Sequence, residues 1–314
     1  MTNTERFDLA VSVLEKNIAK VFLSLDSRVK DGIREIRLRT GKPVAVITEC
    51  GTQFVLPSGR LTQMYSDQVL KTDAREIEET FRRVCGYSVH SFKDAINKGY
   101  ITVSGGHRVG IAGTAVTENG AVASVRDISS LNLRIAREIK GAADEIIRSE
   151  FSQGLKSVIV AGPPASGKTT VLRDLARQIS GERFGYSKVF ICDERGEIGA
   201  SFSGVAQNDT GINTDLITAY PKDEGIMIGL RSFSPDIIIC DEIATSCELE
   251  AVEAGINSGV CFALSVHAKN ETELKTKPVI KRLLATKGFD SIALLSAVNV
   301  GKTEKIYGAC ELDD

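Results

Sequence analysis

The run Gly162-Pro163-Pro164-Ala165-Ser166-Gly167-Lys168-Thr169-Thr170 constrains this chain more than any other stretch. It matches the pattern GxxxxGK[ST]. The apolar run Val158-Ile-Val-Ala precedes it, and the helix-forming run Thr169-Thr-Val-Leu-Arg-Asp-Leu-Ala-Arg follows. A strand, a glycine loop and a helix in that order form a phosphate cradle. Glycines let the backbone curl until successive N–H groups face one point, and the helix N-terminus adds partial positive charge there. Lys168 then reaches the β- and γ-phosphates of ATP, and the Thr169 hydroxyl ligates Mg²⁺.

Such a loop belongs in an α/β sheet, and the chain downstream has that rhythm. Short β-rich runs at 158–161, 189–192, 237–240 and 262–266 alternate with helical patterns near 168–180, 223–231 and 246–257. That alternation predicts right-handed βαβ units and a mostly parallel sheet. Functional groups then collect where the strands end. The strand Ile237-Ile-Ile-Cys ends in Asp241-Glu242, which makes Asp241 the Walker-B acid on Mg²⁺ and Glu242 a candidate to activate water. The strand at 189–192 ends in Asp193-Glu194-Arg195-Gly-Glu197, so Glu194 and Glu197 compete with Glu242 for that role, or an acid–arginine pair orders a loop there. The strand at 262–266 ends in His267, within reach of a γ-phosphate. Residues 198–222 read as a long polar loop, facing a pore or a partner.

The N-terminal part is built differently. Apolar residues at Phe7, Val11, Leu14, Ile18, Val21, Phe22 and Leu25 predict one helix stripe over 5–26. Arg34-Glu-Ile-Arg-Leu-Arg alternates as a half-buried strand, and Val44 begins its return. Residues 73–87 fit a helix. A glycine-rich stretch with short β-like pieces follows, giving a small α+β domain. A helical segment at 142–151 joins the halves, with the boundary set at 1–141 and 142–314.

Composition excludes the other classes. The chain has 314 residues and a formal charge of −2, which argues against a nucleic-acid binder of the clustered-basic kind. Residues 1–150 carry 22 basic and 19 acidic side chains, and residues 151–314 carry 17 and 22. No apolar run approaches a membrane span, and the N-terminus lacks a signal-peptide core, so a cytoplasmic chain is expected. The seven cysteines include no CxxC pair and read as buried structural thiols.

Five segments carry a family resemblance: Tyr87-Ser-Val-His-Ser-Phe, residues 99–113, Ile128-Ser-Ser-Leu-Asn-Leu-Arg-Ile-Ala-Arg, the P-loop, and Cys192-Asp-Glu-Arg-Gly-Glu. Together they closely resemble the stage III sporulation protein AA family, over about residues 30 to 310. That family looks like the secretion ATPases of type II and type IV systems. The resemblance implies a RecA-like P-loop NTPase domain after a smaller α+β domain, assembled as a homo-oligomer, usually a hexameric ring. It further implies a mother-cell ATPase that energises the mother cell–forespore channel, docked at the membrane on an integral membrane partner. In secretion ATPases, arginines of the N-terminal domain close over the nucleotide, and the matching segment holds Arg126, Arg134 and Arg137. Surface ion pairs are the other reading of Arg134 and Arg137. Ala165 stands where the family often has glycine, which is tolerable if its φ is negative. A nucleic-acid-dependent ATPase and a weakly hydrolysing nucleotide-dependent scaffold are the competing functions.

Overall fold

The computed structural model describes residues 2–118 and 120–312. They form two compact units: residues 2–137 together with Phe202–Gln207, and Glu138–Ser201 together with residues 208–312.

The first unit starts with α1 (Asn3–Val11), α2 (Lys16–Leu23) and α3 (Ser27–Gly32). The single predicted helix over 5–26 is therefore broken. Thr2 and Glu5 form a capping box on α1, Glu15 caps α2 and Asp26 caps α3, and each side chain that satisfies a new N-terminus ends the helix before it. The apolar stripe survives the breaks: Phe7, Val11, Leu14, Ile18, Phe22 and Leu25 share one buried core. Strands β1 (Glu35–Arg39), β2 (Ala45–Thr48), β3 (Gly51–Val55) and β4 (Leu61–Thr62) come next, then α4 (Ala74–Val84) and α5 (Lys93–Asn97). Strands β5 (Tyr100–Val103), β6 (His107–Glu118) and β7 (Ala121–Arg134) complete an antiparallel sheet of order β4-β3-β2-β1-β7-β6-β5. In β1 the predicted alternation holds, with Ile36 and Leu38 buried and Arg37 exposed.

The second unit opens with α6 (Asp144–Glu150) and β8 (Val158–Gly162). It continues through α7 (Lys168–Ile179), β9 (Val189–Asp193), β10 (Thr214–Thr218), α8 (Lys222–Ser232), β11 (Ile237–Cys240) and α9 (Ser246–Asn257). It closes with β12 (Cys261–His267), α10 (Glu271–Thr276), α11 (Pro278–Ala285), β13 (Ser291–Leu295) and β14 (Thr303–Gly308). The strand order is β10-β9-β11-β12-β8-β13-β14, parallel except for the final hairpin. This is the RecA-like P-loop arrangement. Strands β8, β9, β11 and β13 are buried throughout, as a sheet covered on both faces requires. Helix α8 lies close because Gly229 has no side chain: a Cβ there would stand 2.7 Å from the Phe190 ring.

Two expectations are corrected here. The loop predicted over 198–222 contains β10, whose Thr-Asp-Leu-Ile-Thr pattern is half-buried because it forms the sheet edge beside β9. The cysteines are not uniformly buried: Cys85, Cys192 and Cys240 are, whereas Cys50, Cys247 and Cys310 are exposed, each lying outside the strand interiors. Among the described residues no helix is long and apolar enough to cross a membrane.

His107 opens β6 and is fully buried. Its Nδ1 accepts the Ala136 N–H at 3.0 Å. Burial, and then the charge of Arg6, push its pKa from 6.5 down to about 4. The folded state thus holds the neutral ring. The resulting stability is complete above pH 6.5 and disappears as pH falls towards 4. Between pH 7 and 4.5, urea unfolding of this unit should lose about 2–3 kcal/mol more in wild type than in His107→Asn. Parallel losses in the two proteins would show that His107 does not titrate in this way.

Candidate functional site

The P-loop leaves β8 at Gly162, where a Cβ would lie 2.4 Å from the buried Ser166 Oγ. Pro164 and Ala165 form the exposed crest. Ala165 has φ +60°, so the condition of a negative φ for an easily tolerated alanine is not met. The curl that turns the loop amides towards one point demands a left-handed residue at this crest, and alanine adopts it at a cost of about 1–2 kcal/mol. Gly167 has φ +94° and precedes the first turn of α7. Lys168 is buried. Its Nζ donates to Pro163 O at 2.9 Å and Gly162 O at 3.1 Å, and lies 3.2 Å from His267 Nδ1. Burial lowers the Lys168 pKa, and the charges of Asp241 and Glu242 oppose that shift. Thr169 and Thr170 follow in the first turn of α7, both half-buried.

Strand order assembles the rest. β12 lies between β8 and β11, so its last residues fill the space between the P-loop and the acidic strand end. Thr169 Oγ1 donates to Asp241 Oδ2 at 2.5 Å. Ser265 on β12 donates its hydroxyl to Asp241 Oδ1 and accepts the Glu242 N–H at 2.9 Å. Glu242 has φ +53°, a left-handed turn that swings its side chain back over β12. There its Oε1 stands 3.0 Å from His267 Nε2, and its Oε2 pairs with Arg195. The two ring nitrogens of His267 thus face Lys168 and Glu242 respectively. The Glu242 carbonyl accepts Lys222 Nζ at 2.7 Å.

The residues after β9 divide the work. Asp193 is buried and accepts N–H bonds from Glu197, Gly199 and Ile198 at 2.8, 2.9 and 3.2 Å. Burial raises its pKa, although those three donors pull the other way. It is a loop-organising acid. Glu194 is exposed and pairs with the buried Lys222 at 3.4 Å, and the same ammonium meets Glu248 at 3.2 Å. Lys168, Thr169, Asp241, Glu242 and His267 therefore converge in one network, and Glu194 joins it only through Lys222.

The three arginines lie in the other unit and are not brought together. Arg126 and Arg134 share β7 eight residues apart, about 26 Å along an extended strand. Arg126 lies 3.5 Å from Asp127, and Arg134 lies 3.4 Å from Glu35. Arg137 donates to Ile33 O at 2.9 Å and Lys30 O at 3.3 Å, capping the C-terminus of α3. Ser265, Lys222 and the Arg195–Glu242 pair carry no sequence motif. Only the charged run after β9 pointed at Arg195.

Residues 4–311 match the family model described as sporulation stage III, protein AA. The chain is 35% identical over 278 residues to stage III sporulation protein AA of Bacillus subtilis, covering 88% of this chain and 86% of that protein. It is 30% identical over 173 residues to the protein SEEDLING PLASTID DEVELOPMENT 1 of Arabidopsis thaliana, covering 53% of this chain and 24% of that one. Among solved structures, the pilus retraction motor PilT with bound ADP superposes with a TM-score of 0.54 at 15% identity, over 84% of this chain and 74% of that chain. The Legionella pneumophila ATPase DotB superposes with a TM-score of 0.52 at 16% identity, over 83% and 72%. At such identities the likeness is one of fold.

Two substitutions test this geometry. Ala165→Gly should raise stability by up to about 1 kcal/mol, read as a higher Tm, because glycine removes the left-handed penalty. Ser265→Ala should cost about 1–3 kcal/mol, because it leaves the Glu242 N–H and Asp241 Oδ1 without their shared partner. An unchanged Tm in either variant would contradict the corresponding assignment.

Proposed function

The chain belongs to the sporulation stage III, protein AA family, and from that premise we propose that it is a secretion-type ATPase, hydrolysing ATP as the motor of an assembled homo-oligomeric ring. The observation that carries this reading is the 2.5 Å contact between Thr169 and Asp241. It joins the hydroxyl after the P-loop lysine to the acid ending the Walker-B strand. A hydroxyl and a carboxylate oxygen are hard donors of the kind Mg²⁺ takes beside phosphate oxygens and water. The pair fits that ion, which when bound neutralises β- and γ-phosphate charge.

The protein groups then have distinct tasks. The loop amides of residues 162–168 and the N-terminus of α7 hold the phosphates. Lys168 exchanges the Gly162 and Pro163 carbonyls for phosphate oxygens. Glu242 orients the attacking water and accepts its proton, with Arg195 and His267 fixing its carboxylate. Glu194, held against Lys222, steadies the Glu242 backbone from behind and is the weaker candidate for the base. His267 touches both Lys168 and Glu242, so it couples phosphate contact to the water-orienting acid. Of the arginines, Arg134 and Arg126 keep mostly exposed guanidiniums, which suits them to neutralise charge in the transition state. Family membership supports ring assembly, a mother-cell location and an integral membrane partner as parts of this proposal. The charge of −2 supports a protein rather than a nucleic acid as the partner.

Lys168→Ala should lower ATP turnover more than about a hundredfold while leaving the circular dichroism spectrum intact. Wild-type turnover in that variant would sink the site assignment. Turnover per chain should also rise with protein concentration as mass measurements report assembly. A constant rate in a protein that stays monomeric would remove the ring from the mechanism.

A further inference from the structure

The P-loop has a second neighbour that the chemistry above does not use. Residues 296–302 join β13 to β14 and sit directly against it. The Gly301 N–H donates to Ser166 O at 2.8 Å. A Cβ on Gly167 would stand 2.8 Å from Gly301 N and 3.4 Å from Val300 Cγ1, so loop and hairpin are in contact. The hairpin is internally braced. Ser296 Oγ accepts the Val298 and Asn299 N–H groups, each at 3.2 Å, and Ser296 N donates to Lys302 O at 2.9 Å. This braced tip carries Val298 at 86% exposure and Val300 at 68%. Val298 is the most exposed of the large apolar side chains among the described residues.

The strand order says what passes this point. Asp241 ends β11, which lies two strands to one side of β8. The metal-facing γ end of a triphosphate is therefore directed to that side. Its α end, with the sugar and base, leaves the P-loop on the other side, where β13 and β14 stand. We infer that Val298 and Val300 form an apolar platform for the flat face of the nucleobase, so that the hairpin of residues 296–302 supplies the nucleoside half of the binding site. This rests on the nucleotide-binding reading of the P-loop. Methyl groups meeting a ring face bury apolar area without needing a hydrogen-bond partner. The occupant is thus an aromatic base tethered to a polyphosphate, and the bare polyphosphate gains nothing from the hairpin.

That difference defines the test. ATP and inorganic tripolyphosphate are titrated into the full chain, wild type and V298S/V300S, by calorimetry with Mg²⁺ present. Wild type should bind ATP more tightly than tripolyphosphate. The double substitution should weaken ATP binding about tenfold and leave tripolyphosphate binding within about twofold, which also reports an intact P-loop. ATP affinity unchanged by the substitution, or both ligands weakened equally, would overturn the platform. A changed oligomeric mass with ATP affinity intact would overturn it in favour of a subunit contact. Wild type binding tripolyphosphate but not ATP would refute the platform alone. Wild type binding neither ligand would refute the nucleotide reading on which it stands.

Discussion

The hydrogen bond from Thr169 to Asp241 joins two elements that are not neighbours. β12 runs between β8 and β11, so the hydroxyl and the carboxylate meet across an intervening strand. That works only if β12 presents something small and polar at the crossing. Ser265 is that residue: its hydroxyl donates to Asp241 and accepts from the Glu242 backbone. A larger side chain would separate the acid from the P-loop, and an apolar one would leave two half-buried polar groups without this partner. The site thus depends on a serine in a strand otherwise read simply as apolar, and on a sheet order that puts this strand in the middle.

The same place carries backbone strain. Ala165 and Glu242 both occupy the left-handed region without being glycine. At Ala165 the strain buys the curl of the phosphate loop. At Glu242 it reverses the side chain so that the carboxylate returns over β12. Glu242 can hold that conformation because its backbone is gripped on both sides, its N–H by Ser265 and its carbonyl by Lys222. Lys222 is itself held by Glu194 and Glu248. Strain maintained by surrounding contacts is the usual mark of a site whose geometry matters more than its local stability.

What was legible in the sequence follows a physical divide. The loop amides, Lys168, Thr169 and Asp241 could be read because phosphate chemistry demands fixed residue types at fixed local spacing. Strands β8, β9, β11 and β12 could be read because burial on both faces leaves continuous apolar runs. β10 and β14 were hidden because they are the half-polar strands at the two edges of the sheet, whereas β13, a short buried run after α11, carried the same apolar signal as β8 and was passed over. The breaks in the N-terminal stripe depended on capping side chains, whose effect the apolar spacing alone does not reveal. Ser265, Lys222 and the Arg195–Glu242 pair act through contacts between residues 20 or more apart in sequence. Such contacts exist only once the sheet order is known.

The arginines are a different case, because the family resemblance rather than any local pattern singled them out. Arg126, Arg134 and Arg137 lie within one short segment, yet β7 is extended. Eight residues along a strand cover about 26 Å, whereas the same eight on a helix would cover about 12 Å. Arg126 and Arg134 therefore cannot serve one phosphate from one chain. Arg137, beyond the end of β7, spends its guanidinium on the carbonyls that close α3. A positive charge count in this half of the chain consequently says little about phosphate binding. Each guanidinium has to be judged by what already holds it, and by that measure Arg137 is a structural cap while Arg134 keeps only a cross-strand carboxylate on an exposed face.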